Sequence, residues 1–99
     1  KLQKQYDHDL QKIAQLLLAY PSLTIEVHGH TDNSGQRDYN LSLSQQRAES
    51  VTEYLIVQHN IAADRVFARG FGPDRPLTKN DTIEGRKLNR RVEVKFITE

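Results

Sequence analysis

Leu23-Thr24-Ile25-Glu26-Val27-His28-Gly29-His30, running into Thr31-Asp32-Asn33-Ser34-Gly35, decides how this chain folds. Leu23, Ile25 and Val27 alternate with Thr24, Glu26 and His28, the period of two that a half-buried strand requires. A strand is therefore predicted over Thr24–His30. Gly29 and Gly35 bracket a turn of Thr31, Asp32, Asn33 and Ser34, whose short side chains bond their own backbone.

Outward from that strand, the pattern changes to helical spacing on both sides. Leu2, Tyr6, Leu10, Ile13, Leu17 and Tyr20 recur every three or four residues and trace one helical face. Pro21 ends this helix, because a proline disfavours helical geometry in the residue before it. No N-cap precedes Leu2, so the helix is expected to begin upstream of the fragment. A second helix is predicted from about Ser42 to Gln58, with Ala48, Val51 and Leu55 as its buried stripe. Ser42 with Gln45 fits a capping box, Ser44 is a rival cap, and Asn60 is a C-terminal stop. Arg65–Phe71 reads as a strand with Val66 and Ala68 on one face and Phe67 and Arg69 on the other. The long connection Gly72–Leu88 carries Pro73, Pro76 and Gly85 and a short helix around Ile83–Leu88. In the last strand, Arg91–Ile97, Val92, Val94 and Phe96 alternate with Arg91, Glu93 and Lys95.

Each strand has one polar face, which predicts an α/β fold, an α+β sandwich with helices packed on one face of the sheet and water on the other. The chain of 99 residues is read as a single domain, 1–99. Three strands and two helices make a thin core, and an additional N-terminal strand would help to close it. The first residue is Lys1 and there is no Met, so the chain is expected to be a piece of a longer protein.

Composition narrows the function. Apolar residues are 36% and charged residues 27%, too much patterned hydrophobicity for a disordered tail. The longest apolar run, Ile13–Tyr20 with Gln15 inside it, is far short of the ~20 residues of a membrane-spanning helix. There is no Cys, which excludes disulfides, thiol nucleophiles and Cys-based zinc sites. The net charge is only +1, but it is unevenly spread: residues 1–64 carry −3 and residues 65–99 carry +4.

Four constellations carry chemistry. His28-x-His30-x-Asp32 places two imidazoles and a carboxylate on one strand face, a pattern that could hold zinc and serve a metal-dependent hydrolase. His8 and His59 do not extend it, and the alternative is that both histidines sit on the open face or bond the turn. The Thr31–Gly35 turn is by itself structural. Asn40-Leu41-Ser42-Leu43-Ser44-Gln45-Gln46-Arg47-Ala48 enters the second helix; a cation such as Arg47 in a first helical turn opposes the helix dipole and implies an acidic partner or ligand. Gly85-Arg86-Lys87-Leu88-Asn89-Arg90-Arg91 is a basic cluster, but without interleaved aromatic residues it argues weakly for nucleic acid.

Asp32 just beyond a strand and Arg47 in the following helix would meet in the crevice that open α/β sheets use for ligands. Carboxylate and guanidinium there would read a free amino-acid zwitterion, Asp32 accepting from the ammonium and Arg47 giving a bidentate fork to the carboxylate. No nucleophile–base pair accompanies them, which points to binding rather than reaction.

These residues in order, His28-Gly29-His30-Thr31-Asp32-Asn33-Ser34-Gly35, then Asn40 through Ala48, Val51, Gly70-Phe71-Gly72, Pro76, Glu84-Gly85-Arg86 and Asn89-Arg90-Arg91-Val92-Glu93, resemble the OmpA-like (OmpA/MotB C-terminal) peptidoglycan-binding domain. The resemblance spans roughly Leu10 to Phe96. It implies an α/β domain with a mixed four-stranded sheet whose first strand, ahead of the first helix, is missing from the fragment. It implies non-catalytic binding of peptidoglycan through the diaminopimelate of the stem peptide, anchoring a larger envelope protein to the cell wall. Asp32 then takes the ligand ammonium and Arg47 its carboxylate; Asn40 and Arg90 line or brace the site, and Thr31, Asn33 and Leu43 supply backbone or wall contacts. The resemblance implies no cofactor, metal or catalytic residue. The setting implied is the periplasm of a Gram-negative bacterium, within a parent protein anchored in the outer or inner membrane. An oligomerisation module, acting as a homodimer, is the alternative from a different class.

Overall fold

A computed structural model describes residues 4–98, with side chains from residue 7 onward. The predicted stripe positions Leu2 and Tyr6, and the strand expected ahead of the first helix, lie outside the described residues and side chains. The order is α1 (Lys4–Ala19), β1 (Thr24–His30), α2 (Arg37–His59), a 3-10 turn (Ala63–Arg65), β2 (Val66–Gly72), α3 (Ile83–Asn89) and β3 (Arg91–Ile97).

The mixed sheet has the order β2-β1-β3. Central β1 runs parallel to β2, with Ile25 opposite Val66, and antiparallel to β3, with Thr24 opposite Ile97. A parallel pair needs a long crossover, and α2 is that crossover. Among the described residues, the outer edge of β3 pairs with no further strand.

The alternation read from the sequence drives the packing. Ile25 and Val27 of β1 and Val66 of β2 meet Leu10, Ala14 and Leu17 of α1 and Ala48, Val51 and Leu55 of α2 in one core. Leu17, Ile25, Val27 and Leu55 are fully buried. Asn60 caps α2 in the left-handed conformation, φ 57°, its N–H reaching Leu55 O, as a C-terminal stop requires.

Two glycines set how closely α2 lies on the sheet. A Cβ on Gly29 would stand 2.2 Å from Ser44 O, and one on Gly70 would stand 2.3 Å from Gln45 N. Helix backbone therefore rests directly on strand backbone. Side-chain bonds fix the contact: Ser44 Oγ accepts from Gly72 N at 2.8 Å, and Gln45 Oε1 accepts from Gly70 N at 2.8 Å while its Nε2 donates to Ala68 O at 3.2 Å.

Three expectations change. The second helix starts at Arg37, not near Ser42, and Gln36 caps it without a side-chain bond. The capping box is not used: Ser42 is exposed, and Ser44 is buried against β2. The five residues 37–41 lack an apolar stripe of their own, but Asp38 favours a first turn through the helix dipole. Arg65 is not in β2; it closes the 3-10 turn, and its guanidinium donates to Tyr20 O and Leu23 O at 2.7 Å, tying the end of α1 to the start of both parallel strands.

The face of the sheet away from the helices is also not simply wet. The β1–β2 register slips between Gly29 and His30, so that His30 faces Gly72 and Phe71 is extra. Alternation sets Phe71, with Phe67 and Arg69, on the histidine face, because Val66, Ala68 and Gly70 face the helices; the bulge shifts its register against His30. His30 stacks on Phe71 at 5.5 Å, His28 meets it edge-on at 4.9 Å, and Arg75 lies over its outer side at 4.1 Å. His28 and His30 are buried as a result.

Candidate ligand site at the C-terminal end of the central strand

Parallel strands β1 and β2 end together at His30 and Gly72, the end where open α/β sheets bind ligands. Thr31 continues this junction. Its N–H donates to Gly72 O at 2.9 Å and its hydroxyl donates to Asp32 O at 2.7 Å, so the chain leaves the sheet in a fixed direction.

Asp32 follows directly, with only 10% of its side chain exposed. Its Oδ1 accepts from Ser34 N–H at 2.8 Å, an Asx-type turn, and its Oδ2 accepts from Arg90 Nη1 at 2.5 Å. Burial pushes the Asp32 carboxyl up, but the bonds from Ser34 and Arg90 outweigh it and hold the pKa below its ordinary value. The carboxylate is thus ionised at neutral pH. An ionised carboxylate offers about four lone-pair sites. Two are used here, and those remaining can accept from a further donor.

Asn40, in the first turn of α2, is buried and donates from Nδ2 to Ser34 O at 2.7 Å. It clamps the turn that carries Asp32 onto the helix. Asn33 is exposed at the tip and Leu43 is half-buried on α2. Thr31, Asp32, Asn40 and Arg90 therefore form one bonded assembly around the turn, on three separate elements of the fold.

Arg47 does not stand in a first helical turn. Because α2 begins at Arg37, Arg47 is in its third turn, and the expected conflict with the helix N-terminus disappears. Its side chain is exposed and makes no ion pair among the described residues. Its direction follows from α2's own contacts. With Ser44 set against the sheet, Gln45 lies about 100° around the helix and reaches β2. Asn40, Arg47 and Leu43 fall on the opposite flank, about 40°, 60° and 100° the other way. Given the strand order, that flank is the β3 side, from which Arg90 reaches Asp32. Arg47 lies about 10 Å along the helix from Asn40, and no contact joins it to Asp32. Helix geometry thus puts Arg47 on the flank of α2 that carries Asn40, with no contact to Asp32.

Sequence reasoning missed Asn89. It is fully buried; its Oδ1 accepts from Leu77 N and Thr78 N at 2.7 and 3.0 Å, and its Nδ2 donates to Thr78 O and Asn80 Oδ1 at 2.9 and 2.8 Å. This one side chain fastens the 77–80 loop to the end of α3 and sets the direction of Arg90 beside it. Its sequence signal is an uncharged Asn inside a basic run, at the head of the Asn89-Arg90-Arg91 motif. Arg37 and Asp74, exposed and joined by two hydrogen bonds of 3.0 and 2.6 Å, link the start of α2 to the loop after β2.

The two other constellations are rearranged. Asp32 turns to Ser34 and Arg90, so it does not complete a ligand set with His28 and His30; the carboxylate beside both imidazoles is Glu93 of β3. In the basic cluster, Arg86 donates to Asn80 O, Arg90 to Asp32, and Arg91 to Glu93 and Arg75 O. Its arginines are spent on the protein itself rather than arrayed for phosphates. An apolar cleft of about 350 Å³, lined by Leu16, Tyr20, Leu23 and Phe96, lies at the opposite end of the sheet from Asp32.

Comparison with known proteins places this geometry. Outer membrane protein Omp38 of Acinetobacter baumannii is 43% identical over 91 residues, 92% of this chain and 26% of that protein. Peptidoglycan-binding protein ArfA of Mycobacterium tuberculosis is 40% identical over 85 residues, 86% of this chain and 26% of that protein. The chain thus spans about a quarter of the length of these relatives. The crystal structure of the peptidoglycan-associated lipoprotein from Burkholderia pseudomallei superposes with a TM-score of 0.92 at 31% identity, covering 98% of this chain and 81% of that one. The sheet and helices described above are the fold of that domain. Since the model of the OmpA family matches residues 1–90, nearly the whole of the described fold, this chain belongs to the OmpA family.

Proposed function

We propose that this domain binds peptidoglycan without chemistry, through the free amino-acid end of diaminopimelate in the stem peptide, and so anchors a larger envelope protein to the cell wall in the periplasm. The observation that carries the reading is a nearly buried, ionised Asp32 at the strand end, with lone pairs to spare, and an unpaired Arg47 on the same flank of α2. A buried carboxylate exposed on one side to solvent suits a cationic donor. A free guanidinium held off from that carboxylate by α2 suits an anion carried by the same ligand. Diaminopimelate presents an ammonium and a carboxylate on one carbon at its free end.

Asp32 accepts from the ammonium and Arg47 grips the carboxylate. Arg90 braces Asp32 and keeps it ionised, Asn40 holds the turn in place, and Thr31, Asn33 and Leu43 form the surrounding wall. The names of the relatives support the wall as partner: ArfA is a peptidoglycan-binding protein and the Burkholderia protein a peptidoglycan-associated lipoprotein. Charge-assisted hydrogen bonds contribute about 1.5–3 kcal/mol each. Asp32→Ala and Arg47→Ala are each expected to weaken retention on purified sacculi by at least about tenfold. Circular dichroism checks that both stay folded. If both folded variants sediment with sacculi as the unaltered protein does, the assigned roles are wrong.

A further inference from the structure

His28, His30 and Glu93 form a cluster that the wall-binding reading does not use. It lies on the sheet face away from the helices. His28 and His30 are two apart on β1 and share that face, and Glu93 of β3 stands directly across from His28 in the antiparallel register. One ligating atom from each of the three lies within 4.8 Å of the others. His30 is only 2% exposed, yet neither of its ring nitrogens has a hydrogen-bond partner. Buried polar atoms without partners are rare in folded proteins and call for an explanation. Glu93 Oε1 stands 3.7 Å from His30 Nε2, too far for a hydrogen bond. Two ligands at about 2.0–2.1 Å from a tetrahedral ion lie about 3.4 Å apart, so this gap nearly fits a shared metal.

We propose that His28, His30 and Glu93 bind a divalent transition ion of the imidazole-preferring class, Zn²⁺ being the type, in an exchangeable site separate from the ligand crevice. The outer contacts are already those of such a site. Glu26 Oε1 lies 2.9 Å from His28 Nε2; when that nitrogen donates, the other ring nitrogen keeps its lone pair. Carboxylate partners of this kind orient metal-bound histidines. Arg91 Nε donates to Glu93 Oε2 at 2.6 Å and leaves Oε1 facing His30. Among the described residues, the one cation on Oε1 is exposed Lys95, at 3.4 Å, which an ion can displace without uncovering the core. The charges of Arg91 and Arg75 oppose a cation here, which favours a weak, exchangeable site over a permanent one. The cluster reaches solvent on the Glu93 side, where that side chain is 29% exposed.

The test is titration of chelator-treated protein with ZnCl₂ by calorimetry, and with CoCl₂ by visible absorption, which reports tetrahedral ligation. The unaltered domain is expected to take up a single equivalent. His28→Ala and Glu93→Gln, checked for fold by circular dichroism, are expected to weaken binding by at least about tenfold, and Glu26→Gln by about tenfold. Lys95→Gln is expected to tighten it. No saturable uptake by the unaltered domain overturns the proposal. Uptake that persists undiminished in folded His28→Ala and Glu93→Gln overturns it as well, because the metal then sits elsewhere, as at His8 or His59.

Discussion

On the proposed reading, Asp32 carries the binding charge. Burial alone would raise its pKa, and a protonated Asp32 could not hold an ammonium. The Ser34 N–H and Arg90 reverse the direction and hold the carboxyl below its ordinary value. For a carboxylate depressed in the folded state, the stabilisation is complete above the unfolded pKa and is lost as pH falls through the folded one. Sacculus retention is therefore expected to stay level from neutral pH down to about 4, the ordinary Asp value, and to fall only below it. A retention curve that drops between pH 7 and 5 would assign the binding charge to a different group.

Asn89 belongs to the same scale. Its amide satisfies three backbone groups of the 77–80 loop and the side chain of Asn80, and Arg90 follows it in the chain. Asn89→Ala leaves those groups without their partner, at about 1–3 kcal/mol of stability, and loosens the hold of Arg90 on Asp32. Urea denaturation measures the first effect, and weaker sacculus binding by the folded fraction measures the second.

Among the elements, the contact of α2 with the sheet decides where the site residues stand. The backbone of Ser44 and Gln45 touches Gly29 and Gly70, and the same helix carries Asn40, Leu43 and Arg47 past the end of β1. A methyl group at Gly29 has only main-chain atoms to push against. Gly29→Ala is expected to cost about 3 kcal/mol or more, beyond the usual range for overpacking, and to shift α2. Thermal melting would show it. A melting temperature equal to that of the unaltered domain would mean that helix and sheet are not in backbone contact.

The elements were legible to different degrees, for physical reasons. β1 and β3 follow strict alternation and were read to the residue; the start of β2 and the start of α2 were not. Arg65 resembles a strand residue in sequence, and only the bond from its backbone N–H to Ala62 O at 3.0 Å reveals a turn. Residues 37–41 are helical although no apolar period marks them, and misplacing that start put Arg47 in a first turn with a dipole conflict that does not exist. Phe71 takes the face of Phe67 and Arg69 by simple alternation, but its stacking against His28 and His30 of the neighbouring strand is a property of packing, so a face expected to be wet holds a buried aromatic and histidine layer. Asp32 could be found from strand-end position and residue type. The bonds from Arg90, 58 positions away in sequence, and from Asn40 to the turn are properties of packing and could be inferred only through family resemblance.

For the whole molecule, the charge asymmetry between the two parts of the sequence has a structural outcome. The acidic first part and the basic last part meet at Asp32–Arg90, and the arginines around it are largely paired inside the domain. No broad positive surface is needed to explain the basic third. What remains, on the proposed reading, is a site of two charges, one half-satisfied and one free, on a fold shared with wall-associated domains.

The most direct measurement is calorimetric titration of the domain with the stem tripeptide ending in meso-diaminopimelate against the same tripeptide ending in lysine. In both peptides one α-amino group is taken up in the peptide bond and the side-chain ammonium stays free, but only diaminopimelate carries a carboxylate on the carbon of that ammonium. If Asp32 and Arg47 together grip that end, the diaminopimelate peptide binds and the lysine peptide is weaker by at least about tenfold, the loss of a charge-assisted contact to Arg47. Equal affinity for the two peptides would contradict it.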